Sequence, residues 1–95
     1  MPAYIIVEVS VTDPKEYEEY KKLVPASLAA YNGKFVVRGG QAETLEGGWQ
    51  PERIAVMQFP SVERAKEWSN SDLYAKAKAI KFKAAKTKMI VVDGV

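Results

Sequence analysis

The sequence contains no cysteine and no histidine. These absences exclude disulfide bonds, thiolate nucleophiles, haem attachment, metal sites built on thiolate or imidazole, and catalytic triads with a histidine base. No apolar run reaches the roughly 18 residues of a membrane-spanning helix, and the first residues carry no positively charged signal segment. Carboxylates remain as metal ligands, but none cluster convincingly. We therefore expect a cytoplasmic protein with no metal, no cofactor and no membrane contact.

What is present fits one small domain. The 95 residues are 47% hydrophobic and 27% charged, which is ordinary for a globular protein. A mass of 10.6 kDa predicts a folded surface of about 5,500 Å² and one thin core. A chain of this size often completes its burial by pairing with a copy of itself. Residues 1–95 are therefore assigned to a single domain.

Hydrophobic periodicity and capping signals predict the order β-α-β-β-α-β. The predicted strands cover residues 4–11, 34–39, 53–59 and 89–92. The first helix is predicted to begin at Asp13-Pro14, to bend at Pro25 and to end at Asn32-Gly33. Ser61 caps the second helix, which residues 70–72 interrupt before Ser71 caps its continuation through Leu73, Ala77, Ile80 and Ala84.

This order indicates the ferredoxin-like α+β fold, in which two helices cover one face of an antiparallel sheet. By alternation, the other face carries Tyr4, Ile6, Val36 and Met57 or their neighbours. An apolar face of this kind should not remain in water on a soluble monomer. We therefore expect two sheets to pack face to face in a homodimer, which would form a dimeric α+β barrel.

A few polar residues stand out against the predicted apolar face. Glu8 is the only charge within the first strand, and Arg38 precedes Gly39-Gly40, where a ligand could approach the backbone. Arg53 opens the third strand, and a guanidinium at such a position suits a carboxylate or phosphate. Three interpretations remain open: Glu8 and Arg38 pair with each other or cross the dimer interface, Arg38 anchors an anionic ligand, or Glu8 is catalytic.

The two tryptophans have alternative interpretations. Trp49 lies in a glycine-bounded loop, whereas Trp68 and Tyr74 flank the interruption in the second helical region. A large aromatic side chain is costly to leave exposed. These residues either pack in the core or at a dimer interface, or they form the wall of a pocket with Arg38, Gly39 and Gly40.

The C-terminal region is rich in lysine. Six lysines occupy positions 76, 78, 81, 83, 86 and 88. On a helix they would form a broad patch with no interleaved aromatic platform, and the isoelectric point near 8.8 is below the value typical of nucleic-acid-binding domains. We interpret them as a solvated helix face and expect no specific nucleic-acid partner.

Several segments together resemble a known family. They are the spacing of tyrosines and valines from Tyr4 to Tyr20 with Asp13-Pro14, the run from Asn32 to Gly40 that includes Val-Arg-Gly-Gly, and Glu-Gly-x-Trp-x-Pro at residues 46–51. Phe59-Pro60-Ser61 and the spacing of Trp68, Ser71 and Tyr74 complete the pattern. The chain resembles, over nearly its whole length, the domain of unknown function 1330 family of the dimeric α+β barrel superfamily.

The resemblance implies the fold and the dimer but little chemistry. Proteins of the superfamily include cofactor-independent monooxygenases, muconolactone isomerase-like enzymes, haem proteins and small-ligand-binding regulatory domains. The haem branch needs an axial ligand that this chain lacks. Two hypotheses follow: a small enzyme that holds an aromatic or carboxylated metabolite with Arg38 as anchor and Glu8 as proton shuttle, or a non-catalytic module for ligand binding or dimerisation.

Overall fold

The computed structural model describes all 95 residues and confirms the predicted α+β class. The chain forms β1 Ala3–Val11, α1 Pro14–Ala30, β2 Lys34–Gly40, β3 Arg53–Phe59, α2 Val62–Ser69, α3 Asp72–Ala84 and β4 Ala85–Asp93. The strands pair antiparallel in one sheet of order β2-β3-β1-β4. The sheet is open, so a closed barrel is not formed within one protomer. None of the three helices has both the length and the apolar composition needed to cross a bilayer.

Side-chain caps begin all three helices. The backbone N–H of Glu16 donates to Asp13 at 3.2 Å, and Ser61 and Ser71 accept equivalent bonds at the starts of α2 and α3. Each cap satisfies a backbone donor that has no partner within its helix. The predicted interruption at residues 70–72 therefore separates two helices, α2 and α3.

The core lies between the sheet and the helices. Its largest fully buried side chains are Trp68, Tyr74, Phe59, Leu28, Met57 and Val24. The polar atoms inside it are paired: the Tyr20 and Tyr74 hydroxyls lie 3.1 Å apart, and Trp68 Nε1 donates to Ser27 Oγ at 3.0 Å. No buried side-chain nitrogen or oxygen is left without a hydrogen-bond partner, which avoids the cost of burying an unpaired polar group.

The structure corrects two details of the sheet. Of Met57 and its neighbours, Val56 takes the outer position, whereas Met57 pairs with Ile5 on the helix-covered face and is only 1% exposed. The last strand begins at Ala85 rather than at residue 89. Lys86 and Lys88 consequently belong to β4 and not to a helix face. Both are exposed, as alternate positions of an edge strand can be.

Candidate functional site

An irregular β2 strand determines where Arg38 points. Phe35 lies opposite Met57 and Val37 lies opposite Val56, so the pairing register shifts by one residue between them. Because facing residues share one side of the sheet, Val37 is outside and Arg38 turns to the helix side with Phe35. A second register shift before Gly40 coincides with Gly39, whose φ of 69° is in the left-handed region.

The Arg38 side chain contacts both its own strand and α1. Its guanidinium carbon lies 4.7 Å from the Phe35 ring centroid, and Nη2 donates to the Lys21 carbonyl at 3.0 Å. Pro25, four residues after Lys21 in α1, has no N–H to donate to that carbonyl. Arg38 therefore occupies an acceptor that the helix itself leaves free.

A narrow cleft of about 60 Å³ opens beside Arg38, between the sheet and the helices. Its cationic lining residues are Lys21, Arg38, Arg53 and Lys81. Its other lining residues are Val7, Val9, Tyr17, Tyr20, Phe35, Gly39, Ala55, Met57 and Thr87. No carboxylate lines the cleft. The lining therefore combines apolar and hydroxyl-bearing side chains with positive charges, of which Lys21 is also ion-paired with Glu18 at 3.4 Å.

The pKa of Tyr17 reflects both the burial and the positive charges of the cleft. Partial burial raises the pKa of its phenol, and the positive charges of Arg53 and Arg38 partly offset this increase by favouring the phenolate. The same arginines would favour any anion in the position of that hydroxyl. The arrangement can therefore hold a negatively charged group through charge-assisted hydrogen bonds.

Glu8 lies on the other face of the sheet. It is paired with Ile54 and Lys88 on the outer side, and its Oε2 accepts a hydrogen bond from Trp49 Nε1 at 3.2 Å. Trp49 is 59% exposed and belongs to the long loop between β2 and β3. The protomer consequently contains no Glu8–Arg38 ion pair, and it separates Glu8 and Trp49 from the cleft.

The remaining site candidates lie in the core, on the outer side of the sheet or at the cleft. Trp68 and Tyr74 are completely buried, with ring centroids 4.1 Å apart, and do not line the cleft. Gly40 pairs with Ile54 on the outer side. Of the predicted ligand-binding residues, only Arg38, Gly39 and Arg53 meet at one cavity.

The sequence reasoning missed Tyr17, Lys21 and Lys81. Tyr17 and Lys21 are four residues apart and so share a helix face, but the pattern alone does not show which strand faces them. Lys81 lies seven residues after the buried Tyr74 and four after the buried Ala77. That spacing places Lys81 on the buried stripe of α3, and it is the sequence feature that could have identified this residue.

This fold and cleft define the chain as a small ferredoxin-like α+β protein with a cationic pocket between sheet and helices. It belongs to the family known as Domain of unknown function (DUF1330), whose family model matches residues 2–95. This confirms the resemblance noted in the sequence. No functionally curated protein matches the chain significantly.

Solved structures share the fold at low sequence identity. RPA0582, a protein of unknown function from Rhodopseudomonas palustris, is 18% identical with a TM-score of 0.77, over 99% of this chain and 82% of its own. A dimeric ferredoxin-like protein of unknown function from Jannaschia sp. is 10% identical with a TM-score of 0.74, over 99% and 100%. SnoaB, a cofactor-independent oxygenase from Streptomyces nogalater, is 10% identical with a TM-score of 0.70, over 99% and 93%.

Proposed function

We propose that this protein binds a small carboxylate-bearing metabolite in the cleft beside Arg38. The observation that carries the proposal is the lining: four cationic side chains, three hydroxyl-bearing ones and no carboxylate surround an apolar floor. A guanidinium matches a carboxylate through parallel hydrogen bonds, and Arg38 and Arg53 both reach the cleft. Arg38 and Arg53 are the proposed anion anchors.

The size of the cleft limits the ligand. One water needs roughly 10–15 Å³ of such space, so a cleft of about 60 Å³ accommodates a carboxylate group and a short apolar portion. A larger aromatic portion would extend from the mouth, where Arg38 and Arg53 are exposed. The proposed ligand class is therefore a small carboxylic acid held by its anionic end.

The position of Glu8 favours binding over catalysis by that residue. A ligand held by Arg38 lies on the helix side of the sheet, and Glu8 of the same protomer lies on the outer side. The cofactor-independent oxygenase SnoaB has the same fold, but a shared fold does not carry a reaction from one protein to another. Oxygenase chemistry is therefore not part of the proposal.

The ligand proposal is tested by comparing charged and neutral isosteres. Benzoate and butyrate are titrated into the protein by isothermal calorimetry, with benzamide and butyramide as the neutral partners. We expect carboxylates to bind about tenfold more tightly than amides, because a hydrogen bond to a charged group is worth about 1.5–3 kcal/mol.

Variants then locate the binding site. Arg38→Gln and Arg53→Gln should each weaken benzoate binding, whereas Arg64→Gln, which removes the same charge beside Tyr31 and Glu67, should not. Equal binding of acids and amides, or equal losses in all three variants, would contradict the proposed cleft.

We further propose that two copies pair through their outer sheet faces. Beside the charged Glu8 and Lys88, this face carries exposed or half-buried apolar side chains, namely Tyr4, Ile6, Val37, Ile54, Val56, Ile90 and Val92. The protomer exposes 6279 Å², more than the about 5,500 Å² expected for its mass. The Jannaschia relative with this fold is dimeric.

The dimer proposal is tested on the edge strand. Ile90 is 61% exposed and Val92 is 42% exposed, so Ile90→Lys and Val92→Lys should fold but place a charge in the paired face. Light scattering after size-exclusion chromatography should show a wild-type dimer and variant monomers. Lys76→Glu, on the solvent-facing side of α3, is the control and should remain a dimer. A wild-type monomer at micromolar concentration would refute the pairing.

A further inference from the structure

A buried lysine lies at the boundary of two cavities. Lys81 of α3 is only 5% exposed, and its Nζ lies 5.6 Å from the Tyr74 ring centroid and 5.3 Å from that of Phe82. It lines the cleft beside Arg38 and also a second, more open cavity of about 370 Å³ between α2, α3 and β4. Thr87 lines both cavities as well.

The ammonium group of Lys81 has no carboxylate or hydrogen-bond partner, and its protein contacts are the faces of the Tyr74 and Phe82 rings. It takes part in no ion pair and in none of the side-chain hydrogen bonds of the protomer. Because no fully buried side-chain nitrogen lacks a partner, its Nζ still meets solvent through the cavities. A structural lysine of this degree of burial is ordinarily paired with a carboxylate, and that explanation is not available here.

The surroundings of Lys81 favour its neutral amine. No carboxylate lines either cavity. The titratable or charged groups that line them with Lys81 are Lys21, Tyr17 and Tyr20 from α1, Arg38 from β2, Arg53 from β3, Lys66 from α2 and Lys78 from α3. Burial lowers the pKa of Lys81 below its usual 10.5, and the charge of Lys78 lowers it further.

We propose that Lys81 is a nucleophilic amine that forms an imine with a small aldehyde or ketone entering either cavity. A largely buried lysine that has no carboxylate partner and lies near other cations is the arrangement that activates an amine toward carbonyl carbon. The Nζ lone pair would attack that carbon to give a carbinolamine, which loses the carbonyl oxygen as water and leaves a C=N bond to Nζ. No electrons are gained or lost in this step, so no redox partner is required.

Reductive trapping tests the proposal. The folded protein is incubated at pH 7 with limiting acetaldehyde and sodium cyanoborohydride, which delivers hydride to the imine carbon, and ethylated lysines are identified by peptide mass spectrometry. A lower pKa leaves a larger fraction of the amine unprotonated at pH 7. We therefore expect Lys81 to react severalfold faster than exposed Lys76. Acetaldehyde carries no charge, so the result does not depend on the carboxylate proposal.

Burial without activation predicts the opposite order. If Lys81 reacts no faster than Lys76, or becomes reactive only after unfolding in guanidinium, the proposal is wrong. Lys78→Met removes the neighbouring charge and should slow labelling of Lys81 at pH 7, with a smaller difference at pH 11 where the amine is mostly neutral in both proteins. Lys76→Met is the matched control and should leave the Lys81 rate unchanged. An unchanged rate in Lys78→Met would refute activation by the site.

Discussion

The guanidinium of Arg38 donates to the Lys21 carbonyl at 3.0 Å. This carbonyl is available because Pro25, four residues later, has no N–H with which to close the helical hydrogen bond. The hydrogen bond that is missing within α1 therefore leaves a carbonyl free to accept from a side chain of β2. The contact joins the helix to an edge strand and holds the guanidinium at the mouth of the cleft.

The Arg38–Lys21 contact predicts coupling between Arg38 and Pro25. Arg38→Ala should lower the free energy of unfolding by about 1 kcal/mol, since it removes one hydrogen bond and the contact with Phe35. In a Pro25→Ala background, the restored N–H satisfies the Lys21 carbonyl, so the same substitution should cost less. Urea unfolding of the four proteins gives the coupling directly. Strictly additive effects would show that Pro25 does not create the acceptor.

The Trp68–Ser27 hydrogen bond predicts a stability loss inside the core. Ser27→Ala leaves the buried indole N–H of Trp68 without an acceptor, which should cost about 1–3 kcal/mol. Ser69→Ala, on α2, is the comparison because the Ser69 hydroxyl makes no hydrogen bond to the protein. Thermal or urea unfolding should rank Ser27→Ala well below Ser69→Ala. Equal stability of the two variants would contradict the importance of this bond.

The Tyr20–Tyr74 pair predicts loss of stability at alkaline pH. Burial raises the pKa of Tyr20 far above 10, and burial also raises the pKa of Tyr74. The native state therefore retains protons that the unfolded chain releases above pH 10. The stabilising contribution is complete below pH 10 and falls above it, by up to about 1.4 kcal/mol per pH unit for each group.

The alkaline loss is measured by urea unfolding between pH 8 and pH 11. Tyr20→Phe should reduce the downward slope above pH 10, although its stability at pH 8 is lower because Tyr74 loses its partner. The lowered pKa of Lys81 acts in both proteins, so the difference between their slopes comes from the coupled Tyr20–Tyr74 pair. Parallel slopes would show that this pair ionises normally in the folded state.

The positive φ at Gly39 predicts that the β2 irregularity requires glycine. An alanine there would occupy the left-handed region at a cost of roughly 1–2 kcal/mol. It should also weaken benzoate binding, because the local geometry directs Arg38 toward the cleft. Gly48→Ala, where an added Cβ meets nothing within 4 Å, should leave both stability and binding unchanged. A stable Gly39→Ala variant with normal binding would remove this residue from the site.

Local sequence signals predicted most of the fold. Caps at Asp13, Ser61 and Ser71 begin helices where expected because capping depends on a side chain and backbone a few residues apart. The extended β4 was underestimated because Lys86 and Lys88 obscure the apolar alternation. Leu73 was assigned to the buried stripe of α3 but is 59% exposed. Ala77 and Ala84 are buried as expected, whereas Tyr74 and Lys81 take the buried positions next to Leu73 and Ile80.

The candidate site was predicted only in part, because strand alternation fails at an irregularity. Regular alternation from Phe35 would place Arg38 on the outer face with Glu8, where the two could pair. The register shift at residues 35–37 reverses that orientation and brings Arg38 to the helix side. One extra residue in a strand is not encoded by hydrophobic periodicity, which explains why Glu8 and Arg38 are separated.

The sequence by itself determined the class of fold and the chemistry that this protein lacks. Periodicity and caps depend on residues close together in the sequence, and the absence of cysteine and histidine is a matter of composition. None of these features depends on contacts between distant residues. Only the tertiary structure decided which charges meet. Arg38, Arg53, Lys21 and Lys81 come from separate elements, and their convergence at one cleft depends on strand register and helix packing. Those long-range pairings bring cations that are far apart in the sequence to one cleft.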